Sequence, residues 1–199
     1  MHEFLLPVWR PARVLSMVWH AYLSLLRRYP LPTKAATATT VAFFADFVCQ
    51  RLESAGKVVP FDADRAFRFA SWALVTTPVV HVWYRFLHAK LASPLLRAAA
   101  DQFIYAPPAT CLFLFCMGVG VRGSGVEGGL ARVAHLPGVL KENWMVWLPL
   151  QLINFAFVPL PLQIGFGNIC GAFWAVRLSA LAQSGAAQPL PVAPKAPLA

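Results

Sequence analysis

The sequence predicts an all-α protein: a polytopic transmembrane helical bundle with about four membrane-spanning helices, an N-terminal amphipathic helix and a C-terminal apolar helix. Of the 199 residues, 58% are hydrophobic and 13% are charged, and the mean hydropathy is +0.58. A soluble domain is typically about 45–50% apolar and about 25% charged. A soluble fold of this length would therefore have more apolar side chains than it could bury, and lipid is the expected solvent.

The positive charge also fits a membrane protein. The net charge is +9, from 17 Lys and Arg against 8 Asp and Glu. These bases are spread along the chain and stand at the ends of apolar runs, where membrane helices keep them near lipid headgroups. We therefore expect a lipid bilayer as partner and no direct contact with nucleic acid. Because the four cysteines form no CxxC pair, we expect neither a metal site nor another cofactor.

Residues 1–30 form a basic N-terminal segment with two equally good interpretations. From 13 to 29 the apolar and polar residues separate onto two helix faces. Arg-rich, acid-poor amphipathic starts are typical of mitochondrial targeting. They are also typical of a helix that lies in a membrane interface.

The transmembrane domain is predicted over residues 31–181, and residues 182–199 are predicted to form a disordered tail rich in Ala and Pro. The four predicted spans are Thr33–Gln50, Arg65–Leu91, Phe103–Val121 and Trp144–Leu160, and the fifth apolar helix is Leu162–Leu181. The short Pro-Leu-Pro link before this last helix is compatible with a tight hairpin, so the pattern does not decide whether the fifth helix spans. Trp83 and Tyr84 stand where an aromatic belt is expected.

A glycine-rich stretch, residues 118–129, formally contains a dinucleotide-binding fingerprint at Gly118, Gly120 and Gly123. That motif binds pyrophosphate only between a strand and a helix. Here it follows a membrane-like apolar run, so we predict a flexible loop between helices.

Polar residues inside the apolar segments are the candidate functional residues. They are Asp46, Gln50, Arg65, Arg68, His81, Asp101, Gln151, Asn154 and Arg177. Two interpretations compete: hydrogen-bonding contacts that hold helices together, and a polar lining for a solute pathway. Because an unpaired carboxylate inside the bilayer is costly, we expect Asp46 to pair with a basic residue such as Arg68 or Arg177. No Ser-His-Asp set, carboxylate pair or HExxH motif indicates an enzyme.

Several motifs, in order over about residues 19–180, resemble the Mpv-type family of small peroxisomal and mitochondrial membrane proteins. The motifs are Trp19-x-x-Tyr22, Tyr29-Pro30, Thr33-Lys34, Asp46-x-x-x-Gln50, Asp62-x-x-Arg65-x-x-Arg68, Pro78 to Tyr84, Asp101-Gln102, Ala106-Pro107, Asn143 to Trp147, Gln151, Asn154-Phe155, Val158-Pro159, Trp174 and Leu178-Ser179. The chain departs from the family pattern at Thr77, Leu148, Gln163 and Ala175; at Gln163 the family has a basic residue.

The resemblance implies an integral organelle membrane protein that acts as a solute channel or transporter, with a role in mitochondrial homeostasis. The basic N-terminus favours the mitochondrial inner membrane, and the peroxisomal membrane is the alternative. Expected partners are small solutes or metabolites and a second copy of the chain. The rival hypothesis is a non-conducting membrane scaffold, with the small residues of the last apolar helix, such as Gly167 and Gly171, as its contact face.

Overall fold

The computed structural model describes residues 11–54, 59–120 and 124–183, and within these ranges the chain is mainly helical. Side chains are described between residues 13 and 176 of the same ranges. The elements are α1 (Pro11–Arg28), α2 (Pro30–Glu53), α3 (Ala63–Lys90), α4 (Pro94–Ala100), a π-helical turn (Asp101–Tyr105), α5 (Ala106–Val119), α6 (Gly125–Val133), α7 (Leu136–Phe157) and α8 (Gln163–Gln183). The all-α prediction is confirmed.

Local sequence explains where the helices begin. Prolines occupy the first turns of α2, α4 and α7, where the missing N–H has no intrahelical partner to lose. At the start of α3 the Asp62 carboxylate accepts a hydrogen bond from the backbone N–H of Arg65 at 2.8 Å. This cap satisfies a free donor of the first turn.

The bundle is organised around α2, which packs against α3 on one side and α8 on the other. The α7–α8 pair is an antiparallel hairpin: Asn154 meets Gln163 beside the turn, and Trp147 meets Gly171 further along. The continuous segment Pro94–Val119 lies against α7, and α6 folds back onto α5. The amphipathic α1 rests on α2.

Polar and apolar side chains are distributed in the opposite sense to a soluble protein. Large apolar side chains face outward along the long helices; on α3, Phe67 is 71% exposed and Val75 and Val82 are each 67% exposed. The buried polar residues are Lys34, Asp46, Gln50, Thr77, Asp101, Gln102, Gln151, Asn154 and Gln163. Such a surface is suited to lipid and such an interior needs hydrogen bonds between helices.

The number of spans is not confirmed. By length and composition, one helix in the described part of the chain, Pro94–Val119, is able to cross a membrane. The helices α2 and α3 are long, with 24 and 28 residues, but both carry charged residues along their length. Those charges lower the hydropathy by which a span is recognised.

The helices extend beyond three of the predicted segment boundaries. The third apolar segment begins at Pro94 rather than Phe103, because the π-helical turn joins α4 to α5 without a break. The fourth begins at Leu136 rather than Trp144. The last turn of α8 includes residues 182 and 183 of the predicted tail; residues 1–10 and 184–199 lie outside the described residues.

The predicted flexible loop over 118–129 was also wrong in its second half, since Gly125–Val133 is the helix α6. Gly118 on α5 lies against the backbone of Gly128 and Gly129 on α6. Glycines there allow two helix backbones to approach more closely than any side chain permits. Residues 121–123, which include the third glycine of the fingerprint, lie outside the described residues.

Replacing Gly118 by Ala is expected to destabilise the α5–α6 hairpin by about 1–3 kcal/mol, the usual cost of overpacking. A β-carbon at Gly118 would lie 2.7 Å from the Cα atom of Gly129 and closer still to the Gly128 carbonyl oxygen. Helicity followed during thermal unfolding in detergent measures the change. The matched control is Gly138→Ala in α7, where a β-carbon meets open space and should be neutral or stabilising by about 0.5–1 kcal/mol. Equal behaviour of the two variants would contradict the close packing.

Candidate functional site

The carboxylate–arginine cluster lies where the end of α2 faces the start of α3, and comprises Asp46, Gln50, Glu53, Asp62 and Arg65. The Arg65 guanidinium contacts Asp46 at 2.8 Å through Nε and Glu53 at 2.5 and 3.0 Å through its two terminal nitrogens. Gln50 donates to Asp46 at 2.7 Å and to the Asp62 carbonyl at 2.9 Å, and accepts from the Asp62 N–H at 2.7 Å. The side chains thus bind the two helix ends together.

A cavity of about 170 Å³ opens beside this cluster. Its lining includes Gln50, Glu53, Asp62 and Arg65, together with the apolar side chains of the α2–α3 connection. Asp46 is 4% exposed, whereas the Arg65 side chain is 30% exposed. One face of the guanidinium therefore pairs with buried Asp46 while the group also borders a space large enough for small polar molecules.

Asp46 pairs with a basic residue, as predicted, but that residue is Arg65 rather than Arg68. Arg68 lies one turn further along α3 and donates instead to the Gly120 carbonyl at 3.1 Å, at the end of α5. Arg132 of α6 lies close to Arg68, and burial, reinforced by the positive charges of Arg68 and Arg65, lowers the pKa of Arg132. The side chain of Arg177 lies outside the described residues.

The amide network is a second cluster, formed by Asp101, Gln102, Gln151, Asn154 and Gln163 with three side chains of α3. Gln151 is its centre: Nε2 donates to Asp101 Oδ2 and to the Tyr84 hydroxyl, both at 2.7 Å, and Oε1 accepts from Asn154 at 2.8 Å. Gln163 Oε1 accepts from His88 Nε2 at 3.1 Å, and Gln163 Nε2 donates to the Val158 carbonyl at 3.0 Å.

Asp101 is 3% exposed, and its contacts in the described part of the chain are neutral donors rather than a basic side chain. The Trp83 indole donates to Oδ1 at 3.0 Å, and the Gln102 and Gln151 amides donate to Oδ2 at 2.9 and 2.7 Å. Asp101 begins the π-helical turn, and Asp101 and Gln102 are both buried there. Turns of this kind occur frequently at functional sites.

Trp83 and Tyr84 were predicted to stand in an aromatic belt at the membrane interface. Their polar groups do not face outward as such a belt requires. Tyr84 is 5% exposed and packs against Phe155, and Trp83 is half-buried and stacks on Tyr105. Both polar atoms point into the amide network. The periodicity places both residues on α3 but does not show which neighbour faces them.

His81 joins neither cluster; it contacts Lys34 of α2 at 3.2 Å. Sequence reasoning did not select Lys34, Gln102 or Gln163 as site residues, although all three are buried. A signal existed for Lys34, which is a base one turn after Pro30 and is followed by eleven residues without a charge. Gln163 stands out in the sequence only as a departure from the family pattern, which has a basic residue there. Its neutral amide can both donate and accept, which suits a position between His88 and the Val158 carbonyl.

Comparison with known proteins identifies the family. A family model described as the Mpv17 / PMP22 family matches residues 132–179. Protein sym-1 of Neurospora crassa is 32% identical, over 79% of this chain and 95% of its own length. Peroxisomal membrane protein 2 of Bos taurus is 30% identical, over 86% and 90%, and PXMP2/4 family protein 3 of Dictyostelium discoideum is 29% identical, over 87% and 95%.

No solved structure matches the chain. The relatives align over nearly their whole length and over most of this chain. The motifs along the sequence, the polar interior and these alignments agree, and the chain belongs to the Mpv17/PMP22 family of integral membrane proteins.

Proposed function

We propose that this protein is a solute channel or transporter of an organelle membrane, and that its polar interior lines the solute pathway. The observation that carries the proposal is the interior itself: in the described part of the chain, nine buried polar or charged residues lie beneath an apolar exterior. In a bilayer, such groups are sheltered from lipid and present donors and acceptors to small polar solutes.

Two features favour a pathway over contacts that only hold helices together. The carboxylate–arginine cluster borders a cavity of about 170 Å³. In addition, Asn154 Oδ1, Thr39 Oγ1 and Asn168 Nδ2 are buried without a hydrogen-bond partner among the described residues. Purely structural polar groups are normally satisfied, because an unsatisfied one costs about 1–3 kcal/mol.

The proposal includes a membrane arrangement. The helices α2, α3 and α7 and the segment Pro94–Val119 cross the bilayer, and the hairpin places α8 beside α2. One relative is named as a peroxisomal membrane protein. The basic N-terminus, Arg-rich and acid-poor, favours the mitochondrial inner membrane for this chain. We propose no enzymatic step and no cofactor.

Current through purified protein in planar bilayers tests the proposal, and Glu53→Gln is the informative variant. Glu53 lines the cavity, and its carboxylate contacts Arg65. Removing the negative charge leaves Arg65 to dominate the cavity mouth, so the permeability ratio of cation to anion is expected to fall. The reversal potential in a potassium chloride gradient measures this ratio.

The matched control is Glu142→Gln, an exposed carboxylate on α7 away from the cavity, which should leave the ratio unchanged. Discrete currents with selectivity altered only by Glu53→Gln would support the pathway. Absence of current from folded wild-type protein, at all voltages and solute gradients, would overturn the proposal in favour of a non-conducting scaffold.

A further inference from the structure

A buried lysine stands among other bases where α2 begins and α3 nears its end. Lys34 is 5% exposed, and its Nζ contacts His81 Nδ1 at 3.2 Å. Arg85 lies one turn beyond His81 on the same face of α3, close enough to repel Lys34 electrostatically. These three residues form what we call the basic triad.

The acidic residues of the bundle interior are engaged elsewhere. Both ion pairs found among the described residues belong to Arg65. Asp46 follows Lys34 on α2 at a helical rise of about 18 Å, and Asp101 is held by Trp83, Gln102 and Gln151. The triad therefore collects positive charge in a region where the described chain supplies no carboxylate partner.

The free hydrogen-bonding groups of the triad are donors. When His81 Nδ1 accepts from the Lys34 ammonium, the ring hydrogen is on Nε2, which becomes a donor. The remaining N–H groups of Lys34 and the guanidinium of Arg85 are also donors. Lys34 is buried, His81 is half-buried and Arg85 is exposed, so the donors extend from the interior toward the surface.

We propose that the basic triad Lys34, His81 and Arg85 is a binding site for an anionic group, a carboxylate or phosphate. An anion would compensate the charge of a buried ammonium, which is otherwise costly in the interior, and would satisfy donors from two helices at once. The group belongs either to a small soluble anion or to a phospholipid headgroup at the bilayer edge. The site does not require that the protein conducts.

Thermal unfolding of the full chain in a neutral detergent tests the site. The probes are inorganic phosphate, succinate and micelles containing phosphatidylglycerol, each compared with sodium chloride at equal ionic strength. At about a hundredfold excess of ligand over Kd, the Tm of the wild-type protein should rise by about 5 °C. In Lys34→Met, which keeps an unbranched side chain one atom shorter and removes the ammonium, this rise should disappear.

The exposed Lys141→Met is the matched control and should retain the full rise. Arg85→Gln, at an exposed position, should reduce the ligand-induced rise in Tm. This variant keeps the test decisive if Lys34→Met does not fold. A rise with phosphate or succinate identifies a soluble anion, and a rise only with phosphatidylglycerol identifies a headgroup. No rise with any probe, or an undiminished rise in Lys34→Met, overturns the site. Because this assay needs no current, its result is independent of the bilayer recordings.

Discussion

Replacing Arg65 by Met is expected to destabilise the bundle by about 3 kcal/mol, the lower end of the range for breaking a buried ion pair. Asp46 is 4% exposed, and without Arg65 its partner among the described residues would be the Gln50 amide alone. The lower end applies because the Arg65 side chain is 30% exposed and water screens part of the interaction. Unfolding in mixed micelles with increasing denaturing detergent measures the loss.

Arg51→Met is the matched control for this experiment. Arg51 lies on the same end of α2, is exposed and contacts only the Phe47 ring face at 5.1 Å among the interactions described for it. Arg51→Met should therefore lower the free energy of unfolding by about 0.5–1 kcal/mol. The double variant Arg65→Met with Asp46→Leu should recover much of the stability, since it leaves no unpaired buried charge. A double variant no more stable than Arg65→Met alone would refute the pairing as the cause.

Replacing Gln151 by Leu is expected to destabilise the bundle by about 2 kcal/mol. The nearly isosteric change removes the donor to Asp101 and Tyr84 and the acceptor of Asn154. An interhelical hydrogen bond inside a membrane protein contributes only about 0.6 kcal/mol on average. The larger figure is expected because Asp101, 3% exposed, would be left with fewer donors in a region that excludes water.

A double-mutant cycle with Tyr84→Phe separates this network effect from general loss of packing. Tyr84→Phe keeps the ring against Phe155 and removes only the hydroxyl that accepts from Gln151. Because the two groups are directly bonded, their free-energy changes should differ from additivity by at least about 0.5 kcal/mol. Leu152→Ala, a partly exposed position beside Gln151, serves as a control for truncation of α7. Strict additivity of Gln151→Leu and Tyr84→Phe would argue against the network.

Several elements were predictable from the sequence because their signals are local. The helix α2 was expected over Thr33–Gln50 and extends over Pro30–Glu53; α3 was expected over Arg65–Leu91 and extends over Ala63–Lys90. Apolar runs and prolines at helix starts contain this information. The helix α6 was missed because it contains three glycines, which have low helix propensity. The packing of Gly128 and Gly129 against Gly118 overrides that propensity.

The candidate residues were predictable as a set but not as groups. Polar residues inside apolar helices are rare enough to be recognised individually, and eight of the nine have described side chains. Their division into a carboxylate–arginine cluster, an amide network and a basic triad was not predictable. Lys34 and Gln163 were overlooked because each is a single polar residue near a helix start, a place where an exposed side chain is the ordinary expectation.

The sequence by itself determined the solvent, the helical class and the family, since composition, the length of apolar runs and the order of motifs require no knowledge of neighbours. Only the tertiary structure decided which side chains contact one another across helices. Helical periodicity shows that Asp46 and Gln50 share a face, but the packing of α2 between α3 and α8 brings Arg65, not Arg68, to that face. Likewise the π-helical turn, and with it the direction of Asp101 toward Trp83 and Gln151, depends on contacts between helices far apart in the chain.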